Sequence, residues 1–188
     1  MKRQKLPNDL VIRVENMAKN SVYTNRNIIA GYHSTGKTEA ASRDPKYFLD
    51  LDHIPYKYHM DDNGVIHEVN NWQEEYVHKL LDIAYTEISN TNPWLYVLIS
   101  TDPKVLKALE RRNIYYMAVV PSSIEVLRSR HKEYIDKSKI TRDILDSLEY
   151  RDAEENYAKY IQEIKDSSAL GIYSTDRYIF DIFTWYAS

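Results

Sequence analysis

Glycine is scarce in this chain, four residues in 188, and two of the four stand five positions apart in the stretch IIAGYHSTGKTEAA that runs from Ile28 to Ala41. Lys37 and Thr38 directly follow the second of them. The apolar run Asn27–Ala30 ends at Gly31 and reads as a buried strand; a helix-forming stretch from Gly36 to Ser42 begins at the other. A chain that passes from strand to helix over so short a span needs backbone freedom at the turn, which glycine supplies. The sequence is thereby constrained to a strand–loop–helix unit near its start.

The remaining pattern extends that unit into a layered fold. KYFLDLD (46–52) is a second strand. In YKYHMDDNGVIHEV, Tyr56, Tyr58 and Met60 alternate with polar residues before Asp61-Asp62-Asn63-Gly64, and Asn-Gly between alternating runs predicts a hairpin. Apolar residues at Trp72, Tyr76, Leu80, Ala84 and Ile88 form an i, i+4 stripe, so a helix is expected there. Strands follow at 94–100, 114–120 and 169–174. Asp102-Pro103 is an N-cap with proline at N1, opening a helix to about Arg112. Ser122 and Glu125 fit a capping box for a helix of about 123–138. One long helix is expected from about Thr141 to Asp166, and DRYIFDIFTWY closes the chain as another. Residues 1–26 are polar with one short helical pattern around Leu10 to Met17, and read as a peripheral extension to a domain spanning 27–188. Alternating strands and helices imply an α/β fold: a three-layer α/β/α sandwich around a five-stranded, mainly parallel sheet, with a β-hairpin insertion at about 53–71. In such a sheet ligands sit at the carboxyl ends of the strands.

Composition narrows the partners. Net charge is −3, so charge alone implies no polyanion-binding surface and no nucleic-acid partner is expected. With no cysteine, disulfides and thiolate metal sites are excluded. No apolar run approaches the ~20 residues of a membrane span, and the basic N-terminus MKRQKLPNDL lacks the apolar centre of a signal peptide. A cytoplasmic protein acting on a small molecule is the expectation; self-association is compatible with the sequence.

Gly31-Tyr32-His33-Ser34-Thr35-Gly36-Lys37-Thr38 fits G-x-x-x-x-G-K-[ST], the phosphate-binding loop pattern. Its glycines let backbone N–H groups close around an anion, Lys37 reaches the β- and γ-phosphates of ATP, and the Thr38 hydroxyl serves Mg²⁺. Asp50 and Asp52, two apart at the end of FLDLD, share a strand face. They supply either a metal-supporting acid and an acceptor-orienting acid or an ordinary solvated strand end. Asp102 occupies the place where a Walker B acid would be sought, but capping is the stronger reading. Arg128 and Arg130 follow the fourth strand; being two apart they do not share a helix face, so one is expected to turn inward over a transferring phosphoryl group, with a solvated surface as the alternative. Tyr56 and Tyr58 offer rings for stacking or for packing the hairpin, and Lys57 with Arg43 offers charge for an acceptor phosphate. His33 fills a variable loop position, and His53, His59 and His67 fit no metal spacing. Asp61-x-x-Gly64 resembles a GTPase D-x-x-G but lies in a predicted turn, and no N-K-x-D sequence accompanies it.

Through GYHSTGKT, FLDLD and VVPSSIEVLRSRH, residues 27–186 resemble the small P-loop nucleotide and metabolite kinases, with the adenylate- and shikimate-kinase-like fold and the phage and bacterial deoxynucleoside-monophosphate-kinase-like proteins among them. The resemblance implies transfer of the ATP γ-phosphoryl group with Mg²⁺. It implies catalytic roles for Lys37, for Asp52 at the acceptor, and for Arg130 or failing that Arg128 in the lid, with Asp50 supporting the metal. A nucleoside monophosphate, a deoxynucleotide first, is the expected acceptor. A shikimate- or gluconate-type metabolite is the alternative, and an ATP-holding switch with slow hydrolysis is a third reading.

Overall fold

A computed structural model describes residues 10–12, 27–51, 54–83, 94–137 and 144–183. In chain order its elements are β1 (Leu10–Ile12), β2 (Ile28–Gly31), α1 (Lys37–Arg43), β3 (Phe48–Asp50), α2 (Ile54–Lys57), β4 (Tyr58–Met60), β5 (Ile66–Glu68) and α3 (Trp72–Ile83). There follow β6 (Tyr96–Ser100), α4 (Pro103–Arg111), β7 (Tyr116–Pro121), α5 (Ile124–Lys137), α6 (Ile144–Glu155), α7 (Tyr157–Asp166), β8 (Ala169–Thr175) and α8 (Ile179–Phe183).

Five parallel strands stand in the order β8-β7-β2-β6-β3, and β1 adds a sixth, antiparallel to β8. The expected five-stranded sheet is therefore present and is extended by one strand. The helical pattern read around Leu10 gives way, at Leu10–Ile12, to a strand. Three consecutive apolar residues suit a ladder as well as a helix, and pairing with β8 decides it.

Apolar alternation builds the layers. Ile28 and Ala30 of β2, Val97 and Ile99 of β6, and Ala118 and Val120 of β7 face α3, α4 and α7. Ile29, Leu98 and Val119 face α1 and α8. A central strand buried on both sides reads as a continuous apolar run, which is how IIA and YVLI appear in the sequence. The two cores and the sheet between them make the α/β/α sandwich. Among the described residues no helix is long and apolar enough to cross a membrane.

Local chemistry explains most element ends. The hairpin β4–β5 turns where Asn-Gly stands: Gly64 has φ +77°, and Asp61 Oδ1 accepts from Asn63 N and Val65 N, each at 2.9 Å. The aspartate of the D-x-x-G likeness is thus a turn residue. Tyr56, expected in the hairpin strand, lies one element earlier, in α2. Asp102 caps α4 through Lys104 N at 2.9 Å, with Pro103 opening the helix. The cap of α5 is displaced by one from the expected pair: Ser123 Oγ accepts from Val126 N at 3.3 Å, while the Ser122 hydroxyl donates to Asp176. The single long helix expected to end at Asp166 is two helices, parted at Asn156. The break is in its backbone angles, φ −105° and ψ 12°, while Asn156 N still donates to Asp152 O at 3.0 Å and its side-chain amide to Asp152 Oδ1 at 2.9 Å.

One hydroxyl joins the ends of β3 and β6. Tyr76, buried on α3, donates to Leu51 O at 2.9 Å and accepts from Ser100 N at 3.3 Å. Tyr76→Phe leaves both backbone groups without that partner and should cost about 1–3 kcal/mol, read as a lowered urea midpoint at unchanged m. A loss below about 0.5 kcal/mol would show that β3 and β6 hold their ends without it.

Candidate functional site

The loop between β2 and α1 is fixed from both sides. Tyr32 N donates to Val119 O at 2.9 Å, carrying the pairing with β7 one residue past the strand. Thr35, fully buried, closes the turn with its hydroxyl on Tyr32 O at 2.6 Å. Ser34 and Gly36 take positive φ, +56° and +84°, on either side of it. Such left-handed positions turn consecutive N–H groups toward one side. No side chain caps Gly36 at the start of α1.

Each glycine of the motif is required for a different reason. A Cβ on Gly31 would lie 2.7 Å from Thr35 Oγ1 and 2.9 Å from both Ile179 Cδ1 and Lys37 Cγ, so the loop folds against its own root. At Gly36 the left-handed backbone is itself the constraint, and a Cβ would also press the Tyr178 ring at 3.0 Å.

Lys37 curls back over the loop, Nζ donating to Gly31 O at 3.0 Å. Thr38 Oγ1 donates to Asp50 Oδ2 at 2.8 Å, so the hydroxyl behind the lysine and the first acid of FLDLD meet as their sequence positions suggest. The other oxygen, Oδ1, is buried and accepts from no described residue. Asp52 lies outside the described residues.

A third segment, 176–178 after β8, completes the loop's surroundings and was not singled out from the sequence. Ile179 N donates to Thr35 O at 2.9 Å, and Tyr178 lies against Gly36. The signal available was topological: in a parallel sheet the segment after every strand reaches the same edge. Arg130 binds the two loops together. Its Nη1 donates to Ser34 O and its Nη2 to Arg177 O, both at 3.1 Å, and its guanidinium lies 4.5 Å from the centre of the Tyr178 ring. Burial pulls its pKa down, partly offset by the Asp176 and Glu133 carboxylates. Arg128, two residues earlier, is exposed on α5 with Nε 3.5 Å from Glu154. Of the two arginines only Arg130 reaches the loop, and it does so as a brace on carbonyls.

The other candidates are distributed around this centre. Arg43, at the end of α1, stacks 3.9 Å from the Phe180 ring centre and pairs loosely with Glu39, on the α1–α8 side of the sheet. Tyr56 packs edge-on against Tyr76 with ring centres 5.7 Å apart, so it serves the core. Lys57 Nζ meets Asp102 Oδ2 at 2.9 Å. His33 stands edge-on to Tyr32 and Tyr150. His59 and His67 face each other across the hairpin, and His67 bonds Asp61 at 3.0 Å.

The loop and α7 supply a group of hydroxyls that meet α6 and the end of β7. Tyr32 donates to Ala153 O at 2.7 Å, Tyr157 to Pro121 O at 2.9 Å, and Tyr160 to Asp152 Oδ2 at 2.7 Å. Burial raises all three phenol pKa values, and nearby carboxylates raise those of Tyr32 and Tyr160 further through Asp152. These tyrosines stay protonated and act as donors.

Among the described residues no three His, Cys, Asp or Glu side chains gather as a metal cage. A Mg²⁺ carried on a phosphate chain asks less of a protein, one or two oxygens, and the Thr38 hydroxyl with the buried, unshared oxygen of Asp50 fits that demand.

If Arg130 is the brace, Arg130→Ala should cost about 2–4 kcal/mol in chemical denaturation through two abandoned carbonyls and the lost stacking, whereas Arg128→Ala should stay within about 0.5 kcal/mol. Equal losses would mean that the loop is held without Arg130. Compared with known proteins, the chain matches no family model, no curated protein and no solved structure.

Proposed function

We propose that this protein is an ATP-dependent phosphotransferase acting on a small-molecule acceptor. The observation that carries the reading is the meeting of Thr38 with Asp50 at the foot of a glycine-turned loop, one carboxylate oxygen shared and the other buried without a described partner. A threonine and an acid so arranged behind a lysine suit a nucleotide's phosphates and their metal. Residues 31–38 would hold the phosphate chain by their N–H groups, with Lys37 leaving Gly31 O to reach it. Thr38 and Asp50 would hold Mg²⁺, which supplies neutralisation of the phosphate charge. Arg130, engaged with Ser34 O, keeps the loop in shape for binding.

The sheet topology supports the same place for the ligand. From β2 the chain leaves toward β3, and from β7, its neighbour, toward β8 on the opposite side. The crevice where successive connections part lies outside the carboxyl ends of β2 and β7, beside the loop.

For the acceptor the resemblance favours a nucleoside monophosphate. A specific observation favours the metabolite alcohol instead. Arg43 lies over Phe180 and Lys57 on Asp102, so both cations expected for an acceptor phosphate are engaged elsewhere. ADP release measured with and without acceptors separates a kinase, whose turnover depends on an acceptor, from an ATP-holding switch, whose hydrolysis does not.

Lys37→Ala should weaken ATP·Mg²⁺ binding by about 10²-fold or more, since a charge-assisted contact to phosphate is lost, with little effect on folding. Asp50→Asn should leave ATP binding within about tenfold but raise the Mg²⁺ concentration needed for turnover. Calorimetry showing full ATP affinity in Lys37→Ala would remove the nucleotide reading; an unchanged Mg²⁺ requirement in Asp50→Asn would remove the metal role of that residue.

A further inference from the structure

We infer, on the basis of the phosphotransferase reading, that the acceptor is a hydroxyl compound bearing no negative charge, and that the Lys57–Asp102 pair is the device that excludes phosphorylated and carboxylated compounds. The register fixes where this matters. Gly31 stands opposite Ser100 and Asp50 opposite Leu98, so the ends of β2, β6 and β3 share one edge. Asp102 lies two residues beyond β6 at that edge.

A phosphate or carboxylate acceptor needs a cation with spare valence. Lys57 and Asp102 are largely withdrawn from water, their side chains 12% and 13% exposed, at 2.9 Å from each other. The rings of Tyr58 and Trp72 flank the ammonium with centres 5.2 and 5.8 Å away. Turning Lys57 toward an incoming anion would strand Asp102 as a part-buried carboxylate without its cation, the costly way to break such a pair. The next lysine, Lys104, pairs with Glu68 at 2.5 Å on the surface. Meanwhile Asp152 on α6 contributes a carboxylate that a hydroxyl, from Tyr160, already approaches as a donor. An alcohol can make the same kind of contact, and an ammonium on its skeleton gains from this acid. An anion meets like charge, which costs several-fold to many-fold in affinity.

The transfer itself is balanced on the donor and acceptor alone: the acceptor oxygen bonds to the γ-phosphorus as the bridge to ADP breaks, and the hydroxyl proton leaves to solvent or a carboxylate.

The test uses the full chain with ATP·Mg²⁺ and matched acceptors of one skeleton: nucleosides against their monophosphates, glycerol against glycerate, inositol against inositol phosphate, and glucosamine against glucuronate. ADP release should be stimulated at least about tenfold more by the uncharged and cationic members than by the anionic ones. Asp102→Asn keeps an N-capping side chain while removing the charge that holds Lys57. It should tighten binding of the anionic members at least about tenfold, measured calorimetrically with a non-hydrolysable ATP analogue and Mg²⁺ present. Stimulation by the anionic members as strong as by the others overturns the inference. So does silence from every uncharged and cationic member while ATP still binds, or an unaltered anion affinity in folded Asp102→Asn. Failure of the wild-type chain to bind ATP·Mg²⁺ is a different result: it removes the phosphotransferase reading, and the acceptor assignment with it.

Discussion

Arg130 brings a guanidinium to a position where only 7% of the residue meets solvent, and its charge is balanced there by two backbone carbonyls and the face of a tyrosine. The two carbonyls belong to segments far apart in the chain, the loop after β2 and the loop after β8, and the arginine itself comes from the helix after β7. Three adjacent strand ends are thereby tied at one point. The arrangement tolerates no smaller cation: a lysine has a point charge and cannot span two acceptors with a planar fork. The left-handed Ser34, a conformation that costs free energy in a residue with a side chain, persists because its carbonyl is held from this side while Thr35 is buried beneath it.

What could be read in advance followed from strong local signals. Apolar runs with turn residues at their ends gave every parallel strand, because a strand buried on both faces leaves little else for those residues to do. Asp102-Pro103 and Asn63-Gly64 specified their turns by side-chain chemistry that operates within four residues. The Thr38–Asp50 contact was also within reach, since a threonine in the first turn of α1 and an acid at the end of β3 must come to the same edge. The failures were of a different kind. Ser123 rather than Ser122 caps α5 because Asp176, distant in sequence, claims the other hydroxyl. The break at Asn156 keeps the backbone bonds on both sides of it, so nothing local inside a long periodic stretch announces it. The pairing of Lys57 with Asp102, and of Arg43 with Phe180, belongs to tertiary contact and has no local signature.

The tyrosine excess of this chain acquires a physical meaning around the loop. Tyr32, Tyr76, Tyr157 and Tyr160 each present a ring to the core and a hydroxyl to a backbone carbonyl or carboxylate. A tyrosine can cover apolar surface and still satisfy a polar group at its tip. Two strand-end carbonyls, Leu51 O and Pro121 O, are satisfied here by phenols reaching in from the helical layer, and Tyr32 makes the reverse reach from the loop to Ala153 O of α6. The result is a site edge stiffened by side chains with few rotatable bonds.

The antiparallel β1 has a consequence for how the molecule behaves among its own copies. It covers the middle of β8, Gly171–Tyr173 of a seven-residue strand whose outer ladder would otherwise be open there. At the opposite rim β3 is also three residues long. A sheet grows by recruiting a neighbour's backbone along an unpaired strand, and the gain scales with the length of the ladder offered. Among the described residues both rim strands are this short, so each offers a second chain only a three-residue ladder. The strands best suited to template aggregation, β6, β7 and β8, are all interior ones.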